Sequence, residues 1–168
     1  MLTKPEWGWT DFSLEETSTY GLSYLDDIPV EWLDQAIHGL ETLLPFTVKG
    51  CMEPERFLCT VSYWNCHIII EKYEEREPVL PEAVDYELSH TSMLAFCKLL
   101  LADINANFEE WVKFYCSDDY YEEDDEEEHK NYLKRYAERK QMMKEKTKKL
   151  EGLIAKREQC FGKGYYFS

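Results

Sequence analysis

Two residues in this 168-residue sequence come nearest to a nucleophile with its base, Cys97 and His90. They stand seven positions apart, about two turns of a helix, so a helix could bring thiol and imidazole to one side. A buried thiol and a surface or capping histidine account for the same two residues more cheaply. The other histidines (His38, His67, His129) form no Glu-x-x-His or His-x-x-x-His pair, and neither a Gly-x-Ser-x-Gly elbow nor a phosphate-binding glycine loop occurs. Asp26 and Asp27 would suit a cation, yet capping a helix explains them with less. Six cysteines (Cys51, Cys59, Cys66, Cys97, Cys116, Cys160) contain no Cys-x-x-Cys pair. Cys59 and Cys66 flank a predicted turn that could bring them near each other, and all six are expected to be reduced, buried thiols. The expectation is a protein that is not an enzyme, with no catalytic residue, no metal and no cofactor.

Charge is the stronger signal. The net charge of −15 divides unevenly. Residues 1–117 hold 7 basic and 21 acidic groups, residues 118–128 hold 9 acids and no base, and residues 129–168 hold 12 bases and 4 acids. Such a body repels phosphate, so direct binding of nucleic acid is not expected. A basic protein partner is. The run Asp118, Asp119, Tyr120, Tyr121, Glu122, Glu123, Asp124, Asp125, Glu126, Glu127, Glu128 has three readings. It can be a solvated linker extended by its own repulsion, or a helix start whose acids complement the macrodipole. It can also be a contact surface, in which Tyr120 and Tyr121 add the rigid aromatic area that interfaces favour. The alternating ligands and central glycine of a calcium loop are absent. Asp118 to Asp125, together with Asp26 and Asp27, are the candidate partner-binding residues.

The elements that would carry these groups follow from periodicity. Residues 7–28 read as extended, with Phe12 and Leu14, then Tyr20, Leu22 and Tyr24, alternating with polar neighbours, and Glu15 to Thr19 as the turn. Asp27 and Pro29 announce a helix whose apolar positions are Trp32, Leu33, Ile37, Leu40 and Leu44, ended by Pro45. Phe46 to Met52 and Arg56 to Trp64 read as strands. A turn at Asn65 leads into Cys66 to Tyr73, where Ile68, Ile69 and Ile70 suggest a strand covered on both faces. Glu74 to Glu87, with Pro78 and Pro81, reads as a surface connection. Ser89 or Thr91 would cap a second helix reaching about Tyr115, with a broad apolar face. A third helix is expected to start inside the acidic run and reach about Glu158. Leu133, Tyr136, Met143, Leu150 and Ile154 form a loose heptad seam on it, interrupted by Lys140 and Thr147. That seam predicts either fold-back onto the acidic body, which the opposite charges favour, or a homodimer through a coiled coil.

The fold expected is therefore α+β: a small, mainly antiparallel sheet packed with two helices, plus a long charged C-terminal helix. Its regions are an acidic domain (1–117), an acidic connection (118–128), and a basic helix with an aromatic tail (129–168). No run approaches the roughly 20 apolar residues that span a bilayer, and the N-terminus shows no signal-peptide core, so a cytoplasmic location without membrane contact is expected. The layout from Trp7-Gly-Trp-Thr-Asp-Phe through Ser23-Tyr-Leu-Asp-Asp-Ile-Pro to Ser62-Tyr-Trp-Asn-Cys-His-Ile-Ile-Ile-Glu resembles small acidic bacterial immunity proteins. Anti-defence inhibitors of the anti-CRISPR type, some of them DNA mimics, are similar in size and acidity. The resemblance implies a protein that inhibits by occupying a partner's surface, here a basic site on a nuclease or nucleic-acid-binding effector. The alternative is a structural adaptor that oligomerises or docks through its C-terminal helix.

Overall fold

Six short segments, most with apolar residues at every second position, pair into a single sheet. The computed structural model describes residues 1–72, 84–114 and 126–161. The strands are β1 (Trp9–Phe12), β2 (Tyr20–Ser23), β3 (Phe46–Cys51), β4 (Arg56–Val61), β5 (Cys66–Glu71) and β6 (Val84–Ser89). They are antiparallel and lie in sequence order, so every connection joins neighbours. Strands β3 to β6 are paired along their whole length, whereas β2 meets β3 only at Ser23 and Cys51. That weak seam lets the sheet curl until its first hairpin touches its last strand. Ser18 donates to the Glu87 carboxylate from its backbone N (2.9 Å) and its hydroxyl (2.6 Å), and Ser89 Oγ donates to the Glu15 carbonyl at 3.0 Å. The Ser18 hydrogen bonds hold the Glu87 carboxyl below its usual range, and burial with the neighbouring Glu87 pushes Tyr20 up.

Three helices and a short fourth cover one face of this sheet: α1 (Ile28–Thr42), α2 (Met93–Ala106), α3 (Phe108–Lys113) and α4 (Glu126–Phe161). Trp32 of α1 is fully buried at the centre of the core. Its ring meets Phe12 edge-on at 5.6 Å, Phe57 stacked at 6.1 Å and Phe96 of α2 at 6.2 Å, and its Nε1 donates to the Lys49 carbonyl at 2.8 Å. An indole in a core needs such an acceptor, because an unmade bond there costs about 1–3 kcal/mol.

The α+β expectation and the long C-terminal helix hold, and several details are corrected. β4 ends at Val61, because Ser62 closes a tight turn on Asn65 and leaves Tyr63 and Trp64 in its loop. Ile69 is only half-buried while Ile68 and Ile70 are buried, so β5 packs on one face rather than two. The expected connection up to Glu87 already contains the start of β6 at Val84. Leu43 adopts a left-handed conformation and ends α1, which leaves Leu44 outside the helix and exposed. Ser92, not Ser89 or Thr91, caps α2 by accepting from the Ala95 amide, and the helix stops at Asn107 instead of running to Tyr115. Ser89 and Thr91 instead bond each other in the interior.

α4 has 36 residues, about 54 Å of helix. It folds back along the body. Met143, Thr147, Leu150 and Ile154 are buried, while Leu133, the first seam position, stays half-exposed. Polar contacts set its register. Arg139 grips Asp27 through its two terminal guanidinium nitrogens at 2.5 and 2.6 Å, and its Nε donates to the Val112 carbonyl at 2.9 Å. One heptad further along both helices Lys146 pairs with Asp34, and beyond it Lys149 meets Glu41 at 2.8 Å. Arg157 then donates to the Leu40 carbonyl at 2.8 Å and to the Glu41 carbonyl at 3.1 Å. The ascending order makes α4 parallel to α1. On the other flank Lys98 meets Glu158 and Glu109 meets Tyr136 and Lys140, a descending order, so α4 is antiparallel to α2 and α3.

Candidate functional site: the N-terminal hairpin and its acidic surround

Both described residues of the predicted partner-binding set bind cations of their own chain. Asp26 lies 3.5 Å from Lys49 Nζ, and Glu31 and Asp26 together raise the Lys49 pKa. Asp27 occupies the N-cap position of α1 but makes no side-chain cap bond; its carboxylate is taken by Arg139. Asp118, Asp119, Tyr120, Tyr121, Glu122, Glu123, Asp124 and Asp125 lie outside the described residues.

Of the thiols expected to be buried, Cys59, Cys66 and Cys97 are, Cys51 is half-buried, Cys160 is exposed on the last turns of α4, and Cys116 lies outside the described residues. Cys59 and Cys66 sit diagonally on β4 and β5, and their mutual hydrogen bond and burial push the Cys59 thiol well above its usual value. Burial pushes Cys97 up to about 12, which removes the thiolate that a nucleophile requires. Its candidate base, His90, is exposed, so the two do not share an environment. Among the described residues no group of three His, Cys, Asp or Glu could hold a metal ion, and no helix is long and apolar enough to cross a membrane.

A surface that periodicity did not reveal lies at the start of the chain. Residues 2–6 run back along β1: Leu2 bridges Phe12, the Thr3 amide donates to the Asp11 carbonyl at 2.9 Å, and Glu6 and Trp9 exchange both backbone bonds at 2.9 Å. Two residues are left to turn, Trp7 (φ 52°) and Gly8 (φ 80°). Positive φ at both centres is the pattern of a type I′ turn, whose twist suits a hairpin and whose preferred first residue is Asn, Asp or Gly. Gly8 meets the demand freely. It must also stay small, since a Cβ there would come within 2.7 Å of the Tyr24 ring. Trp7 does not suit the position, because a bulky side chain at positive φ carries strain of order 1–3 kcal/mol. That strain holds a side chain with 93% of its surface in solvent.

Around this tip the surface is aromatic and acidic. Trp9 keeps 41% of its surface, and Tyr24 and Leu25 are exposed beside it in sequence with β2. Glu6 and Asp11 are exposed and have no ion-pair partner among the described residues. Lys4, the nearest cation in the chain, is directed to Glu110 at 3.2 Å. Thr3, Lys4, Glu6, Trp9, Thr10 and Asp11 line an open pocket of about 400 Å³. Its lining joins an indole and two carboxylates to one ammonium, Lys4, which is turned to Glu110, so negative charge is in excess and a further cation is the complementary guest.

The sequence signal for this site was Glu-Trp-Gly-Trp itself, an X-Gly pair between two segments. It was missed because residues 2–6 lack the apolar alternation of a strand. Compared with known proteins, the chain matches no family model, no curated relative and no solved structure.

Proposed function

We propose that this chain is a non-enzymatic protein-binding inhibitor or neutraliser. Its acidic surface occludes a basic site on a nucleic-acid-handling protein, in the manner of toxin immunity or anti-defence proteins. The observation that supports this reading is Trp7: a strained, fully exposed indole beside carboxylates that no cation of the described chain neutralises. Tryptophan anchors dominate protein interfaces, and strain that offers no stability is retained where a site requires it. Unpaired acids would speed association with a basic partner and select against acidic ones. In sequence the run from Asp118 to Asp125 adds eight residues of the same character, six acids with Tyr120 and Tyr121 as further candidate contacts.

The rival reading, an adaptor that oligomerises or docks through α4, would have to use what that helix leaves in solvent. Met143, Leu150 and Ile154 pack inside the body, and among the described side chains Leu133 and Met142 are the exposed large apolar residues of α4.

The test is affinity capture from the cells of origin at about 0.1 M and about 1 M salt, where the Debye length falls from about 10 to about 3 Å. The expected partner is basic, binds stoichiometrically, loses its nucleic-acid activity on binding, and associates more slowly in high salt. Neutralising Glu122, Glu123, Asp124 and Asp125 to Gln or Asn should slow association further. Substoichiometric inactivation of the partner, or assembly of this chain with itself alone, would sink the proposal.

A further inference from the structure

We propose that the hairpin pocket reads an arginine side chain of the partner, with Trp9 as the stacking surface and Glu6 and Asp11 as acceptors. This rests on the binding reading above and narrows it to one side-chain chemistry.

Three observations select the ligand. The first is charge: Glu6, Asp11 and Lys4 line the pocket with Trp9, and with Lys4 paired to Glu110 the two carboxylates leave it an excess of negative charge. An anion is repelled and a neutral group leaves both acids solvated, so the complementary occupant is a cation. The second is shape. A guanidinium is planar, stacks on an indole face and offers parallel N–H groups to a carboxylate, whereas an ammonium is a hydrated point charge that can do only part of this. The third is openness. At about 400 Å³ the pocket is at the small end of ligand-sized clefts, and it opens along the surface instead of enclosing its contents. A free small molecule would stay largely wet there. A side chain delivered on a protein loop would not, because the surrounding protein contacts exclude water around it.

The site has an internal control. Of the five tryptophans, Trp32 and Trp111 are buried, and Trp64 is 73% exposed in the β4–β5 turn, at the opposite end of the sheet from Trp9. The full chain would be titrated with the peptide acetyl-Gly-Gly-Arg-Gly-Gly-amide and with its lysine and citrulline counterparts. Indole N–H resonances would be followed by NMR.

The arginine peptide should shift Trp9 and Trp7 saturably, with lysine about threefold weaker and citrulline, a neutral isostere, inactive. Trp64 should not move. Glu6→Gln and Asp11→Asn should each weaken the arginine response about threefold or more, with thermal unfolding unchanged because both side chains are exposed and unpaired among the described residues. An equal response to citrulline overturns the assignment, as does Trp64 shifting in step with Trp9 or no response from Trp9 at all. A natural partner that binds Trp7→Asn poorly but Glu6→Gln and Asp11→Asn normally would leave the binding reading standing and remove the arginine site.

Discussion

The clasp formed by α4 and the hairpin formed by residues 2–12 use the same kinds of residue to opposite ends. In the clasp, three acids along α1 find cations in the same order along α4: Asp27 with Arg139, Asp34 with Lys146, Glu41 with Lys149. Arg157 supplies the cation that the last turn of α1 lacks and meets its free carbonyls. In the hairpin, Glu6 and Asp11 find no cation among the described residues, and the backbone is strained around a side chain that packs on nothing. Charge and strain that stabilise nothing internally are the mark of a surface built for something else. The lesson is that composition alone cannot locate such a surface. Asp26 and Asp27, nominated with the acidic run, are among the acids that the fold consumes.

The comparison is most exposed at Arg139, where the largest effect is expected. Arg139→Ala leaves Asp27 without its bidentate partner and the Val112 carbonyl without its donor, in a place where Arg139 is only 7% exposed. Removing one member of such a pair should cost about 3 kcal/mol, read as a lower urea midpoint, while partner affinity per folded molecule stays the same. Lost affinity in a folded variant would mean that the clasp belongs to the site.

Trp7→Asn should work the other way. Asparagine suits the first centre of a type I′ turn, so unfolding stability should rise by about 1 kcal/mol while partner affinity falls at least tenfold. A variant that loses stability would show Trp7 to be a structural residue after all.

A smaller effect is expected on acid titration. Hydrogen bonds from Lys140 and Tyr136 hold the Glu109 carboxyl below its usual range. A depressed carboxyl contributes stability above the unfolded value of about 4.3, and that contribution is lost as pH falls through the lower folded value. Glu109→Gln should therefore flatten the decline in urea midpoint below about pH 4.3 and leave the neutral-pH salt response of binding untouched.

Smallest of all, Lys149→Ala removes an exposed pair with Glu41 and should change stability by no more than about 0.5–1 kcal/mol by calorimetry. A loss as large as that of Arg139→Ala would show that the ladder acts as one cooperative unit.

Much of the architecture was legible in the chain. Alternation at Phe57, Cys59 and Val61 and at Ile68 and Ile70 marked strands, because one face of a pleat must be apolar to be buried. The 3.6-residue spacing from Trp32 to Leu40 marked α1, and a basic seam after an acidic body pointed to fold-back. Those signals are local, or depend only on net charge, so sequence carries them. Tertiary structure decided what depends on a distant neighbour. Asn107 breaks α2 where composition would have continued it, and Val84 becomes strand because β5 offers an unpaired edge. Asp27 and Glu6 look alike in sequence. They differ because Arg139, more than a hundred residues away, reaches one and no described cation reaches the other. Whether a carboxylate is spent or available depends on which charges the fold brings within a few ångströms of it, and a one-dimensional chain does not contain that distance.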